Sequence, residues 1–225
     1  MSRSVSIMIS LSFNQIAGRD LKILCLGCHS DDIEIGCGGT LLRLREQYPN
    51  CAIQWVVFCA NGVREAEASR GAELFAGTNC ASVQLKHFRD GYLPFGGAAV
   101  KDFFEELKLS SEPDLVLTHT RHDAHQDHRL VNELTWNTFR SHFILEYEIP
   151  KYDGDLGQPS VYVTLSEQVA DRKSKQIIDT FSSQRAKPWF EERTLLSLMR
   201  LRGMECNAPS GYAEAFYCRK LVFAS

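Results

Sequence analysis

Three side chains that can bind a metal or move a proton follow one apolar run near the start of the sequence. Residues 21–28 carry the chain inward, and His29, Asp31 and Asp32 come directly after them. Neighbouring carboxylates repel one another and are costly to bury, so stability alone gives no reason to place two of them there. An imidazole and a carboxylate suit zinc, and His29 and Asp32 are spaced so that both can reach one ion. This stretch predicts a metal site at the end of a strand.

A second cluster of histidines and acids lies farther along the chain. Residues 119–129 read HTRHDAHQDHR and follow the apolar run DLVLT. His125 and His128 are three residues apart at a predicted helix start, so they share one face. Three protein ligands with an open position for water describe a catalytic zinc site, whereas four close a structural one. Two polar clusters at two strand ends can therefore face each other across one crevice.

Short apolar runs alternate with longer amphipathic segments. The predicted strands are residues 21–28, 53–60, 83–88, 115–118, 143–149, 161–165 and 212–223. The predicted helices are residues 38–47, 65–75, 100–109, 127–140, 167–181 and 189–202. Nearly continuous apolar strands such as WVVFCA indicate burial on both faces, as in a parallel sheet covered by helices. We predict a single α/β domain, Rossmann-like and doubly wound with a mostly parallel sheet, over residues 21–225, after an N-terminal arm or edge strand over residues 1–20.

Composition and charge exclude several classes of partner. The 225 residues are 44% hydrophobic, which is enough for one large core, and the net charge of -3 leaves no basic footprint for nucleic acid. No apolar run approaches the roughly 18 residues of a membrane helix, and no cleavage site follows the N-terminal segment. We therefore expect a cytoplasmic protein with a small-molecule substrate, no nucleic-acid partner and no transmembrane segment; a homo-oligomer is compatible with the sequence.

The eight cysteines lie mostly inside apolar runs, where cysteine acts as a small hydrophobe. Cys25 and Cys28 match C-x-x-C, but residues three apart on a strand point to opposite faces and cannot converge on one ion. We predict reduced, structural cysteines.

Three motifs carry a family resemblance. HSDD at residues 29–32, GCGGT at residues 36–40 and HQDH at residues 125–128 resemble the H-P-D-D-E, G-C-G-G-T and H-P-D-H patterns of the PIG-L/LmbE-like zinc N-deacetylases. Ser30, Ile33 and Gln126 depart from those patterns without removing a proposed ligand or base. The resemblance continues through residues 61–70, Asp90 and the closing GYAEAF.

The resemblance implies a role for each residue that matches. The implied ligands of zinc, or of another divalent transition metal, are His29, Asp32 and His128. Asp31 would be the general base, and His125 would stabilise the oxyanion and protonate the leaving amine. Arg64 and Asp90 would contact the substrate. The alternative for Arg64, of equal weight, is a solvated surface arginine.

Elementary chemistry agrees with two of these roles. Asp31 cannot easily be a further ligand, because neighbouring side chains diverge, but it can accept a proton from the attacking water. His125 can donate a proton to the amine if a neighbour such as Asp127 orients it. The competing structural interpretation is a turn and a helix N-cap, which accounts for one acid but not for both. Asp123 is interpreted as a helix cap.

We predict a metal-dependent hydrolase that removes an N-acetyl or other N-acyl group from an amino sugar or sugar conjugate. The alternative is a catalytically inactive metal-binding or partner-binding module of the same fold, although such a module needs neither Asp31 nor His125. A nucleotide-binding Rossmann protein, suggested by GCGG, is disfavoured because a polar loop is expected between the strand and the glycines. Glu214 and the polar segment 151–159 are further candidates near the site.

Overall fold

The computed structural model describes residues 11–13 and 19–222. Most of the predicted arm at residues 1–20, and the end of the predicted last strand at residue 223, lie outside these residues. The prediction of an arm or edge strand therefore remains a prediction.

Strands and helices alternate along the described part of the chain. The strands are β1 (Lys22–His29), β2 (Ala52–Cys59), β3 (Cys80–Leu85), β4 (Leu115–His119), β5 (Phe143–Tyr147), β6 (Val161–Leu165) and β7 (Tyr212–Tyr217). The helices are α1 (Asp32–Gln47), α2 (Val63–Phe75), α3 (Gly97–Ser110), α4 (Gln126–Thr138), α5 (Glu167–Thr180) and α6 (Glu192–Glu205). Each predicted element is present, with its ends shifted by up to six residues.

The strands form one sheet in the order β3-β2-β1-β4-β5-β7-β6. Strands β1 to β5 pair in parallel, and β7 runs antiparallel to both β5 and β6. The predicted α/β fold with a mostly parallel sheet is confirmed. The order of the strands reverses between β1 and β4, so their carboxyl ends border the crevice where such sheets bind ligands.

Helices cover both faces of the sheet and bury two apolar clusters. Helices α1, α2, α5 and α6 pack on one side, and α3 and α4 pack on the other. Cys25 belongs to the first cluster and Cys28 to the second, as their spacing on a strand predicted. All eight cysteines lie in the described part of the chain, and all are free. Within residues 11–13 and 19–222, no helix has the length and apolar character that crossing a membrane requires.

Helix α1 begins at Asp32, six residues before the predicted start, so the polar connection after β1 is only residues 30 and 31. The GCGGT motif lies inside this helix and is buried. A Cβ atom on Gly36 would lie 2.2 Å from the ring of Tyr147, so only glycine lets α1 approach β5 this closely. The glycines are thus a packing feature inside a helix and not the strand-to-helix turn of a nucleotide site.

A buried ion pair holds the glycine-rich part of α1. The carboxylate of Glu214 accepts hydrogen bonds from the backbone N–H groups of Gly39 at 2.8 Å and Thr40 at 2.6 Å. Nζ of Lys173 lies 2.6 Å from Glu214 and donates to the carbonyl of Ile35, also at 2.6 Å. Glu214 therefore stabilises the helix and, contrary to expectation, does not reach the candidate site.

Candidate metal centre

The sheet places the two predicted clusters together. Strand β1 ends at His29 and α1 starts at Asp32, while β4 ends at His119 and α4 starts at Gln126. Because β1 and β4 are parallel neighbours, the segments that follow them meet at one edge. His128, in the first turn of α4, faces the start of α1 across this edge.

Three of the predicted ligand atoms form a nearly regular triangle. Nδ1 of His29 lies 3.0 Å from Nε2 of His128 and 3.3 Å from Oδ2 of Asp32, and the last two atoms are 3.4 Å apart. All three residues are buried. Nitrogen and oxygen ligands around one tetrahedral zinc ion, each at about 2.0–2.1 Å, stand about 3.3 Å from one another. The donor set and its spacing therefore fit a divalent metal.

Each of the two histidines contacts a carboxylate through the ring nitrogen that is not part of the triangle. Oδ1 of Asp90 lies 3.0 Å from Nε2 of His29, and Oδ2 of Asp123 lies 2.9 Å from Nδ1 of His128. Histidines that bind metals commonly donate their other ring N–H to a carboxylate, which fixes the tautomer and the ring orientation. Asp90, expected to contact the substrate, thus contacts His29, and the hydrogen bond from His29 lowers the pKa of Asp90 to about 2.

The charge state of His128 suits a metal ligand. Burial, together with the neighbouring His119, lowers the pKa of His128 to about 3, so its imidazole is neutral in the structure. The neutral ring has a lone pair on Nε2 when the proton lies on Nδ1 and is shared with Asp123. This lone pair faces Nδ1 of His29, 3.0 Å away, and an ion between the two rings would replace that contact.

His119 is a further buried neighbour that was not predicted to act at the site. Its Nε2 lies 3.3 Å from Oδ2 of Asp32, and Asp32, His119 and His128 form a possible metal-binding group. The same Nε2 accepts the backbone N–H of Cys28 at 3.0 Å, so its lone pair is already engaged. His119 therefore packs beside the centre, with its ring 3.9 Å from that of His128. His119 ends β4, which pairs with β1. Its position at that strand end would have predicted its place beside the centre if the pairing had been known.

Asp31 points away from Asp32 and forms an ion pair with Arg64 of α2. It occupies the N-cap position of α1 but makes no capping hydrogen bond, so capping does not explain this acid. Burial raises the pKa of Asp31, and the Arg64 guanidinium opposes this rise. Nε of Arg64 is buried and has no hydrogen-bond partner among the described residues, so it can still donate to a bound molecule.

His125 precedes α4 and faces the other two rings. Its ring centre lies 5.0 Å from that of His29 and 4.6 Å from that of His128. Nδ1 of His125 accepts the backbone N–H of Asp127 at 3.3 Å, which places the proton of the neutral ring on Nε2. Burial and His29 lower the pKa of His125, so the ring is a neutral hydrogen-bond donor.

We expected Asp127 to orient His125. Its carboxylate does not do so. Its two oxygens accept backbone N–H groups, from Gly91 at 2.6 Å and from Leu93 at 3.1 Å. One of them also lies 3.8 Å from Nε2 of His29. Asp127 therefore contacts His125 through its backbone N–H, while its carboxylate is engaged by the loop that contains Gly91 and Leu93.

Asp123 and Lys151 were not predicted to act at the site. Asp123 accepts the backbone N–H of His125 at 2.8 Å, but the N-cap of α4 is His125 itself, so the interpretation of Asp123 as the helix cap is wrong. It also lies 2.9 Å from Nζ of Lys151, which bonds Asp155 at 2.7 Å. The segment 151–159 is thereby tied to the centre. The eight residues predicted as metal ligands, catalytic groups or substrate contacts thus lie around one centre, whereas Glu214 lies apart from it.

Known proteins resemble this chain in sequence. The sequence model of the family described as GlcNAc-PI de-N-acetylase (PIG-L) matches residues 24–139, just over half of the chain. YaiS of Escherichia coli K12, described as an uncharacterized deacetylase, is 31% identical over 145 residues, which are 60% of this chain and 77% of YaiS.

Two solved structures share the fold. The N,N'-diacetylchitobiose deacetylase of Pyrococcus horikoshii has a TM-score of 0.68 and 21% identity over 88% of this chain and 83% of its own. GalB, the 4-carboxy-2-hydroxymuconate hydratase of Pseudomonas putida KT2440, has a TM-score of 0.73 and 16% identity over 91% of this chain and 98% of its own. At these identities the similarity shows the fold alone, and the fold serves more than one reaction.

Proposed function

The chain belongs to the PIG-L family of de-N-acetylases, and from this premise we propose that it is a metal-dependent N-deacetylase. Its substrate would be an N-acetylated amino sugar or a conjugate of one. The observation that carries the proposal is the triangle of His29, Asp32 and His128, whose edges are 3.0 to 3.4 Å long. Next to it lies Asp31, a buried acid that makes no capping hydrogen bond.

His29, Asp32 and His128 would hold the metal, which we propose to be zinc or another divalent transition ion. When bound, such an ion polarises an amide carbonyl and lowers the pKa of a bound water toward about 7. The chain supplies the rest: Asp90 and Asp123 keep the two rings in one orientation, and burial keeps His128 neutral.

Asp31 would accept the proton of the attacking water. Its side chain diverges from that of Asp32, so the two acids can serve different roles although they are chemically identical. Arg64 holds the Asp31 carboxylate in place and, by opposing the effect of burial, favours the ionised form that a base needs. Oxygen from water joins the acyl carbon, and the water proton moves to Asp31.

His125 would donate to the reacting amide. With Nδ1 engaged by the Asp127 amide, Nε2–H is the donor, and it can hydrogen-bond to the developing oxyanion. The C–N bond breaks when the nitrogen receives a proton, so acetate and a free amine leave. That proton is the one that Asp31 took from water, and the second water proton is released to solvent when the acid ionises to acetate.

The sugar class of the substrate rests on the family and its relatives. The matching family is described by a de-N-acetylase of GlcNAc-PI, and the Pyrococcus horikoshii relative is a deacetylase of N,N'-diacetylchitobiose. The unpartnered Nε of Arg64 is a donor for a substrate hydroxyl or carbonyl. Arg64 would therefore both steady Asp31 and contact the sugar.

The test is simultaneous measurement of free amine and acetate from a panel of substrates. Zinc-loaded protein is incubated with N-acetylglucosamine, N,N'-diacetylchitobiose and GlcNAc-PI, and the two products should appear in equal amounts for at least one of them. Chelated protein should release neither, and readdition of zinc should restore both. Full activity of the chelated, metal-free protein would contradict the proposed metal dependence. Metal binding without any product would favour the inactive module.

A further inference from the structure

We propose that Cys28, Cys59 and Asp127, with Nε2 of His29, form a second metal site that takes a thiophilic divalent ion such as Cd²⁺ or excess Zn²⁺. We further propose that an ion bound there inhibits the enzyme. The inhibition rests on the proposed function; the binding does not.

The site begins with two thiols from neighbouring strands. Cys28 lies on β1 and Cys59 ends β2, and His29 pairs with Cys59 in the parallel register. Both thiols are fully buried and belong to the same apolar cluster. Cys25, which completes the C-x-x-C pattern, belongs to the cluster on the other face. The thiol that converges with Cys28 is therefore distant in sequence.

The four ligand atoms are close enough to share one ion. Two thiol sulfurs, a ring nitrogen and a carboxylate oxygen all lie within 4.8 Å of one another. Sγ of Cys28 is 3.7 Å from Nε2 of His29, which is 3.8 Å from Oδ2 of Asp127. With metal–sulfur bonds of about 2.3 Å and metal–nitrogen bonds of about 2.0–2.1 Å, a tetrahedral site separates its ligands by about 3.3–3.8 Å. Small side-chain movements would close the remaining difference.

The donor set selects the class of ion. Thiolate and imidazole prefer Zn²⁺ and its heavier relatives, whereas Mg²⁺ and Ca²⁺ prefer oxygen alone. Binding forms two metal–sulfur bonds and one metal–nitrogen bond, releases the two thiol protons and the Nε2 proton of His29 to the buffer, and oxidises nothing.

The two centres share one imidazole. Nδ1 of His29 faces Asp32 and His128, whereas Nε2 faces Asp90, Asp127 and Cys28. An ion on Nε2 would displace the hydrogen bond to Asp90 that orients this ring. It would also place positive charge on the far side of a proposed ligand. Both effects weaken the first centre, so occupancy of the second site should lower turnover.

The first experiment measures binding without reference to activity. Zinc-loaded protein is titrated with Cd²⁺ while the ultraviolet sulfur-to-cadmium charge-transfer band is recorded, and zinc and cadmium are counted after desalting. We expect one cadmium ion to bind with the original zinc retained. Cys28→Ala and Cys59→Ala should each lose the band and bind cadmium about tenfold more weakly or worse. Cys25→Ala is the matched control, because it removes an equally buried thiol from the same strand and should keep the band.

The outcomes separate the two parts of the proposal. Release of one zinc for each cadmium bound, or a band that persists in both Cys28→Ala and Cys59→Ala, would overturn the second site. If the wild type shows deacetylase activity, the cadmium concentration for half-inhibition should rise about tenfold in either variant but not in Cys25→Ala. Cadmium binding that leaves turnover unchanged would overturn the inhibition alone. If no substrate is found, the binding arm still decides the site, and thermal melting confirms that each variant is folded.

Discussion

Oδ2 of Asp123 lies 2.9 Å from Nδ1 of His128, so a buried carboxylate holds the ring of a proposed metal ligand from behind. The other oxygen of Asp123 lies 2.9 Å from Nζ of Lys151, in the loop that follows β5. The start of α4 and the segment 151–159 are therefore connected through one acid. An ion at the centre would be sensitive to a residue that does not touch it.

Asp123→Asn should weaken zinc binding by about 10- to 100-fold, the effect typical of losing a carboxylate behind a ligand histidine. The substitution keeps the shape but gives His128 a weaker acceptor and leaves Lys151 with one fewer anion. Zinc affinity measured with a competing chelator checks this. Asp102→Asn makes the same chemical change at an exposed position on α3 and should leave the affinity unchanged. Equal affinities for wild type and Asp123→Asn would show that the contact is only structural.

Metal removal should lower the melting temperature. An ion that binds only the folded chain stabilises it by an amount that grows with free metal, about 2.7 kcal/mol at a concentration of 100 Kd. Melting should be followed by calorimetry in chelator and at increasing zinc concentration. Asp32→Asn, which replaces a ligand oxygen, should show a smaller rise than the wild type. A melting temperature independent of zinc in the wild type would count against the centre.

Much of the fold could be predicted because the strands are nearly continuous apolar runs that only a two-sided sheet can bury. The start of α1 over residues 32–37 could not, because Asp32, Gly36 and Cys37 have low helix propensity and read as part of a loop. Hydrogen bonds from Gly39 and Thr40 to Glu214, 174 or more residues away, stabilise the helix in their place. Such tertiary contacts override local preference and leave no local signal.

The membership of the candidate site was predictable for a different reason. His29 and Asp32 follow β1, and His128 follows β4. Because β1 and β4 are parallel neighbours, the three residues meet at one edge of the sheet. The carboxylates behind the rings were less accessible to prediction. Asp90 and Asp123 contact residues that are 61 and 5 positions away, through loops whose paths the sequence does not reveal. The roles of all these residues remain predictions.

Glu214→Gln should destabilise the protein by about 3–5 kcal/mol, because it leaves the buried ammonium of Lys173 without its anion. Urea unfolding of the purified protein measures the change. Glu105→Gln removes the acid of an exposed ion pair with Lys101 and is the matched control, with an expected cost of about 0–1 kcal/mol. A similar small cost for both substitutions would mean that the amides of Gly39 and Thr40 do not depend on the charge of Glu214.

Stability at high pH should depend on Tyr217. Burial and the nearby Glu148 raise the pKa of Tyr217 to about 12, while its hydroxyl accepts the backbone N–H of Gly157 at 3.0 Å. A tyrosine in an unfolded chain ionises near pH 10, so its contribution to stability is present below about pH 10 and is lost as the pH rises through about 12. The stability advantage of wild type over Tyr217→Phe should therefore shrink between about pH 9 and about pH 11. Urea unfolding at both pH values measures it, and a constant difference would contradict the expected linkage.

The adjacent acids Asp31 and Asp32 should fail in different ways when each is changed to asparagine. Asp32 faces His29 and His128, so Asp32→Asn replaces a carboxylate ligand by a neutral amide oxygen and should loosen the metal. Asp31 faces Arg64, so Asp31→Asn should keep the metal and the fold.

Asp31→Asn also removes the proton acceptor, and general-base catalysis typically contributes about 10²–10⁴-fold to the rate. We therefore expect kcat to fall by that factor while zinc content stays at one ion per chain. Zinc content and kcat measured together on both variants separate a ligand from a base, because each substitution is the other's matched control. If Asp31→Asn lost its zinc and Asp32→Asn kept it, the two roles would be reversed; if both kept zinc and turnover, neither acid would belong to the mechanism.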